Sequence, residues 1–380
     1  MSVDATKVAE ALNNYRNRSR PFKALIGLDG FVDEILRVVD KRQSAESFTA
    51  VETLAALGER ISRAAGLSTN IELVGVTRKL GGNGSIMANA LAGQGVRVTY
   101  IGALGEASVH DVFRQMGETC ELIPIADPAL SFNLEFGDGK LIMSKLDSFQ
   151  KITWDALEAR FGLEKLSQMI GGDDLDLLGL ENWTMIPYMS GIFKGIIDNV
   201  FPLIKPGNCL AFFDLCDPEK RLIDDLAEAL ELIRQFSARF RVVLGLNLKE
   251  ATQVAEALGL DVTPPGASAG DINLEEITVK IGKALDIYCL VIHTVRDAGA
   301  FSGGSGGAFH YSPGYYTPNP KLTTGAGDNF NAGLFLGLLM NLSMSESLLL
   351  GAASSGFYVR EARSANLLEL IDFLKDVEMA

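Results

Sequence analysis

An α/β fold is predicted: a doubly wound, mostly parallel sheet flanked by helices, with a small β excursion built from pieces of the first half. Three observations predict it. Short apolar runs alternate with helical stretches from residue 24 to 103 and again from 174 to 294. A single hairpin signal interrupts that alternation. There is no internal repeat and no long linker, so residues 1–380 read as one domain of adequate size.

The N-terminal MSVDATKVAEALNNYRNRSR has no apolar core and reads as an amphipathic helix, not a secretory leader. Ala24–Leu28 is a buried strand entering the Gly- and Asp-rich turn GLDGFVD. Phe48–Ala65 has helical spacing. Ile71–Thr77 alternates as a strand and runs into Gly81-Gly82. Ser85–Ala92 is a small-residue helix and Arg97–Ala103 a strand. Strand, helix, strand in this order implies parallel pairing through crossover helices. Ser131–Phe136 and Lys140–Ser144 flank Gly-Asp-Gly, a hairpin signal. Strands follow at Asp174–Leu180, Leu210–Asp214, Val242–Gly245 and Ile287–Thr294, with helices at Leu222–Phe236, Leu248–Gly259 and Leu274–Leu285. Phe301–Pro320 is Gly-, Ser- and Pro-rich, with short strands near Ala308–Tyr311. Its Ser302–Gly307 run lies before no helix, so it reads as a connection and not a phosphate loop. The chain then enters two apolar helices, Gly325–Met340 and Met344–Arg360.

A net charge of −14 without a Lys/Arg stripe counts against nucleic acid and against anionic membranes. Cys120, Cys209, Cys216 and Cys289 are scattered, and His110, His293 and His310 lack metal-ligand spacing. The most apolar run is too short to span a bilayer. A cytoplasmic location is expected.

The chemistry concentrates in KLTTGAGDNFNAGLFLGLL. Gly325, Ala326 and Gly327 precede an apolar helix, so backbone N–H groups can converge on an anion at the positive end of its dipole. Asp328 falls in the first turn, where it can accept a proton. Read alone, these residues fit equally a tight turn with a favourable first-turn acid. Asn247 and Glu250, read alone, fit a helix cap. Asp29 and Asp33 follow the first strand; one could hold a pair of hydroxyls and the other cap the next segment, with Asp33 preferred for the ligand. Gly81 and Gly82 would let a ligand approach the backbone, and Asn83 is placed to reach it.

TTGAGDNFNAG, together with GLDGFVDEIL, LGGNGSIMANALAGQGVRVTYIGALGE, VVLGLNLKEA and CLVIHTVRDAGAF in that order, resembles the ribokinase-like (PfkB) carbohydrate kinases from Ala24 onward. The resemblance implies a sugar kinase using ATP and Mg²⁺, with Asp328 as base and Gly325–Gly327 as anion hole. It implies that Asp33, Asp29, Gly81, Gly82 and Asn83 serve the sugar, and that Asn247, Thr294, Arg296 and Gly299 serve the nucleotide. Glu250 would organise Mg²⁺ through water. It further implies a lid drawn from about residues 31–40, 71–80 and 130–145; in some members that sheet also pairs two subunits, so a homodimer through the lid is one assembly it allows. Three positions depart from the family. Leu322 replaces an Asp that helps bind a monovalent cation, which counts against potassium activation. Ile86 replaces a substrate-contacting Asn. Arg296 replaces a common Gly, either to reach a phosphate or as a surface residue beside Asp297. Two alternatives accompany the sugar-kinase reading. One is a nucleoside kinase using Phe31, Phe132 and Phe136 around the base. The other is a catalytically weak sensor that binds sugar or nucleotide.

Overall fold

Fully apolar strands need cover on both faces, and the order of elements provides it. In the computed structural model, which describes residues 4–262 and 272–377, strands β1 (Lys23–Leu28), β2 (Phe31–Arg42), β3 (Phe48–Ala50), β4 (Leu73–Gly81), β5 (Arg97–Gly102), β6 (Cys120–Pro124), β7 (Ala129–Phe136) and β8 (Gly139–Lys145) occupy the first part of the chain. The rest contains β9 (Leu177–Leu180), β10 (Leu210–Asp214), β11 (Arg241–Asn247), β12 (Cys289–His293), β13 (Asp297–Ser302) and β14 (Ala308–Pro313). The large sheet runs β14-β13-β12-β11-β10-β9-β1-β5-β6. It is parallel from β12 to β6, with the antiparallel hairpin β13–β14 at one edge.

Alternate residues of each strand enter opposite cores. In β10, Leu210 and Phe212 face helices α1 (Ala5–Arg16), α3 (Asn83–Gly93), α10 (Ala326–Leu339), α11 (Met344–Glu361) and α12 (Leu367–Asp376). Ala211 and Phe213 face the layer built from α4 (Trp154–Phe161), α5 (Leu163–Gly171), α6 (Met189–Gly195), α7 (Ile223–Gln235), α8 (Leu248–Ala257) and α9 (Leu274–Leu285). Strand β1 lies between β9 and β5: the large-sheet strands that follow it first, β5 and β6, lie to one side, and β9 to β14 lie to the other. This switch in strand order opens a crevice at the strands' C-terminal ends.

A second sheet lies over that crevice. Its central strand β2 pairs with β4 along one edge and with β7, followed by β8, along the other; β3 pairs with the far end of β2. Leu36, Val38 and Leu134 on one face pack on Leu57 of helix α2 (Leu54–Arg63). The hairpin residue Asp138 caps that helix, accepting from the Leu54 amide at 2.6 Å.

Several expected boundaries move. The helix expected over Phe48–Ala65 begins only at Leu54, where Thr53 Oγ1 accepts from the Ala56 amide. Phe48–Ala50 instead pairs with Val39–Arg42 as a strand. The strand expected at Ile71–Thr77 runs from Leu73 through Gly81, because its ladder with β2 continues to Phe31–Gly81. The short β6 and helices α4 to α6 lacked a clean periodic signal. Among the described residues no helix is long and apolar enough to cross a membrane.

Candidate active site

Each strand around the crevice ends on a polar residue. Leu28 leads to Asp29, Leu180 to Glu181 and Asn182, β10 ends on Asp214 and β11 on Asn247. The large sheet thereby delivers several carboxylates to one place. Helix α10 opens opposite them. Its N-cap, Gly325, has φ +96° and supplies no side-chain cap. The Ala326 amide donates to Thr323 O at 3.1 Å. The amides of Gly327 and Asp328 have no acceptor among the described residues. Of the three residues expected to offer amides to an anion, Ala326 has its N–H committed to Thr323.

Asp328 is only 6% exposed and accepts from Asn83 Nδ2 at 3.1 Å. Burial, reinforced by Asp214, Asp29 and Glu250, holds its pKa well above the usual carboxylate range. Asn83 thus meets Asp328 as well as facing the crevice. Its own Oδ1 lies 3.4 Å from Asn182 Nδ2, which donates to Asp29 Oδ2 at 2.7 Å.

Asp29 and Asp33 stand in different surroundings. Asp29 is wholly buried, accepts from Tyr100 Oη at 2.8 Å and meets the backbone amides of Asn83 and Ser85. It supplies the cap that Gly82, at the N-terminus of α3, lacks. Asp33 lies in β2, not in a turn. It stands opposite Lys79 of β4 and Ser131 of β7, and a Cβ on Gly81 would lie 2.2 Å from its Oδ1. Burial raises Asp33 to about 6, opposed by Lys79 and by hydrogen bonds from Ser131 and Asn133. Gly82, at φ +105°, would place a Cβ 2.8 Å from Asp29 Oδ1.

On the other side of α10 a cleft of about 500 Å³ is lined by Asn247, His293, Thr294, Tyr316, Thr323 and Gly327, among others. His293 stacks on Phe330, and burial lowers it to about 4, so it is neutral. Of the residues expected at the nucleotide, Asn247 and Thr294 line the cleft. Arg296 is exposed and lies over Tyr316, a cleft residue, 4.2 Å from the ring centroid. Gly299 is not brought to the cleft: it pairs with Ile292 inside the sheet, and a Cβ there would meet Phe309 at 2.8 Å.

Glu250 completes a capping box with Asn247 and takes the Asp217 amide, both at 2.9 Å. Both carboxylate oxygens therefore have backbone partners. Asp214 keeps an unpartnered Oδ1, and Glu181 has neither oxygen partnered. The aromatics considered for a nucleobase are elsewhere. Phe132 and Phe136 belong to the α2 side of the small sheet, and Phe31 packs edge-on against Phe149. Glu181, Asp214, Asn182 and Lys140 were not singled out from the sequence. Their common signal is an apolar strand ending directly in a polar residue, except for Lys140, which needs the hairpin register.

A family model described as prokaryotic ketohexokinase matches residues 3–377. A ketohexokinase of Haloferax volcanii is 28% identical over 354 residues, spanning 92% of this chain and 90% of that protein. The solved adenosine kinase of Sinorhizobium meliloti shares the fold at a TM-score of 0.64 and 13% identity, over 94% of this chain and 99% of that one. A Cryptococcus neoformans ribokinase in complex with ADP does so at 0.59 and 17%, over 94% and 99%.

Proposed function

The chain belongs to the prokaryotic ketohexokinase family, within the ribokinase-like ATP-dependent carbohydrate kinases, and from that premise we propose that it transfers the γ-phosphoryl group of MgATP to a hydroxyl of a ketohexose. The observation that carries the detail is the position of Asp328. It lies in the first turn of α10 beside unpartnered amides, is held by Asn83, and faces a crevice roofed by Asp33.

Phosphoryl transfer asks a protein mainly for positioning and charge stabilisation. Asp33, with Ser131 and Asn133, would orient the sugar hydroxyls, while the absence of a side chain at Gly81 leaves room for the Asp33 carboxylate. Asp328 would take the proton of the attacking hydroxyl. Its raised proton affinity suits an acceptor working near neutral pH. The Gly327 amide would stabilise charge on the transferring group, and the cleft beyond it would hold the nucleoside.

The carboxylates fit a hydrated Mg²⁺ better than a stripped one. Among the described residues no group of three ligating side chains could hold an ion directly, and Mg²⁺ retains waters when it rides on phosphates. Asp214, through its free Oδ1, and Glu250 would hold it through water. When bound it neutralises the β- and γ-phosphates.

The small sheet would act as a lid that excludes water. The test is ADP release with ATP and fructose, comparing the parent with Asp328→Asn. The variant is expected to lose about 10³-fold in kcat while binding ADP normally. Undiminished turnover would remove Asp328 from the chemistry.

A further inference from the structure

The site is rich in carboxylates yet must receive a polyanion, and most nearby cations are already committed. Lys249 pairs with Asp217 and Glu219, Arg78 pairs with Glu34, and Arg296 lies over Tyr316. Lys79 and Lys140 remain, and both belong to the small sheet. Lys79 stands opposite Asp33 in the β2–β4 ladder. Lys140 stands opposite Glu135 in the β7–β8 ladder. Strand alternation puts Glu135 on the face of Ser131 and Asn133, beside Asp33. Both lysines therefore point from the face that covers the crevice. Lys140 Nζ donates to Thr324 Oγ1 and lies 3.4 Å from Thr323 Oγ1. Those threonines immediately precede Gly325, so the ammonium stands at the mouth of the amide cluster. Neither lysine forms an ion pair among the described residues. Partial desolvation lowers both from the ordinary lysine range, Lys79 despite the pull of Asp33, Glu135 and Asp328.

We propose that Lys140 and Lys79 are catalytic residues that bind the transferring phosphoryl group, carried to it by the small sheet. An ammonium resting on neutral hydroxyls has no counter-charge, and an anionic phosphoryl oxygen, which supplies one as well as an acceptor, readily replaces them. Lys140 takes the side of the amides and Lys79 the side of the acceptor. In the step they assist, the bond from the γ-phosphorus to the β–γ bridging oxygen breaks. A bond from that phosphorus to the sugar oxygen forms, the hydroxyl proton goes to Asp328, and ADP leaves with the bridging electron pair. The position beside Gly325 favours the phosphate of ATP over a phosphate already on the sugar.

This rests on the kinase reading above, and Asp328→Asn tests that reading separately: an active D328N would sink the site itself, whatever the lysines do. The lysines are tested in Lys140→Met, Lys79→Met and the corresponding Arg variants, each checked by thermal melting. Affinities for ADP alone and for ADP with aluminium fluoride plus fructose are compared with kcat. A drop of about 10² in kcat, matched by the same factor in the fluoride complex with ADP affinity unchanged and partly restored by Arg, supports the proposal. Equal weakening of ADP and the fluoride complex overturns it. So does a change confined to the KM of fructose, or a loss seen only with fructose 6-phosphate as acceptor.

Discussion

Replacing Asp33 by Asn should make the ligand-free protein more stable while removing its sugar affinity. Asp33 is almost fully buried, and that burial lifts its pKa from 3.8 to about 6. The interval corresponds to roughly 3 kcal/mol at ~1.4 kcal/mol for each tenfold change. Below pH 4 the carboxyl is neutral in both folded and unfolded chains and costs nothing. Above pH 6 it is ionised in both, and the folded state carries the full penalty. The parent should therefore lose this stability as pH rises from about 4 to 6, whereas Asp33→Asn has nothing to titrate there. Thermal melting of both proteins without ligand, from pH 5 to 8, measures it. The variant should gain on the parent as pH rises, levelling off near pH 7, and fructose should no longer raise its melting temperature. A variant less stable than the parent at pH 8, or a difference independent of pH, would refute the reasoning. Such opposition between stability and function is common at binding sites.

Three further outcomes follow from the same geometry. Gly82→Ala forces an L-residue into φ +105° against the Asp29 carboxylate; it should cost at least about 1–2 kcal/mol, read as a lower melting temperature. Glu250→Gln keeps one backbone partner but loses charge, so the Mg²⁺ concentration for half-maximal ADP release should rise; an unchanged Mg²⁺ curve would confine Glu250 to its capping role. Because Asp328 must be ionised to accept a proton and its pKa is raised in the ligand-free protein, kcat/KM for fructose should fall on acidification well above pH 4. A profile flat to pH 5 would contradict that.

Much of the site was legible because its parts lie in short, locally constrained stretches. Gly325 to Asp328 occupy one turn, and the run of apolar residues after them marks α10 unambiguously. Asp33 was favoured over Asp29 before the register was known, and only the family resemblance, not the residues themselves, put it in a lid strand instead of the GLDGFVD turn. Alternation in FVDEILRVVDKR is blurred by a bulge between Ile35 and Leu36 and by charges on both faces. Glu181 and Asp214 escaped notice because their importance depends on which strands become neighbours. Strand order joins β9 to β1 across a gap of well over a hundred residues, and no local pattern encodes it. Gly299 misled for the converse reason: a glycine near a nucleotide motif looks functional until its neighbours, Phe309 and Leu274, are known.

The passage from β1 to β2 consists of Asp29 and Gly30 alone, and a side chain at Gly30 would strike Ala103 O at 2.1 Å. Asp33 and Gly81 travel on the small sheet, whereas Asp328 and its amides belong to α10. The acceptor-facing Asp33 and the proposed base Asp328 thus sit on different layers, tied here by two residues and again where β4 runs through Gly82 into α3. Grafting a relative's small sheet onto this chain would transplant its sugar preference along with its outer surface. Such an exchange would also replace Lys79 and Lys140, so a change of substrate range made this way must keep those two ammonium groups in place.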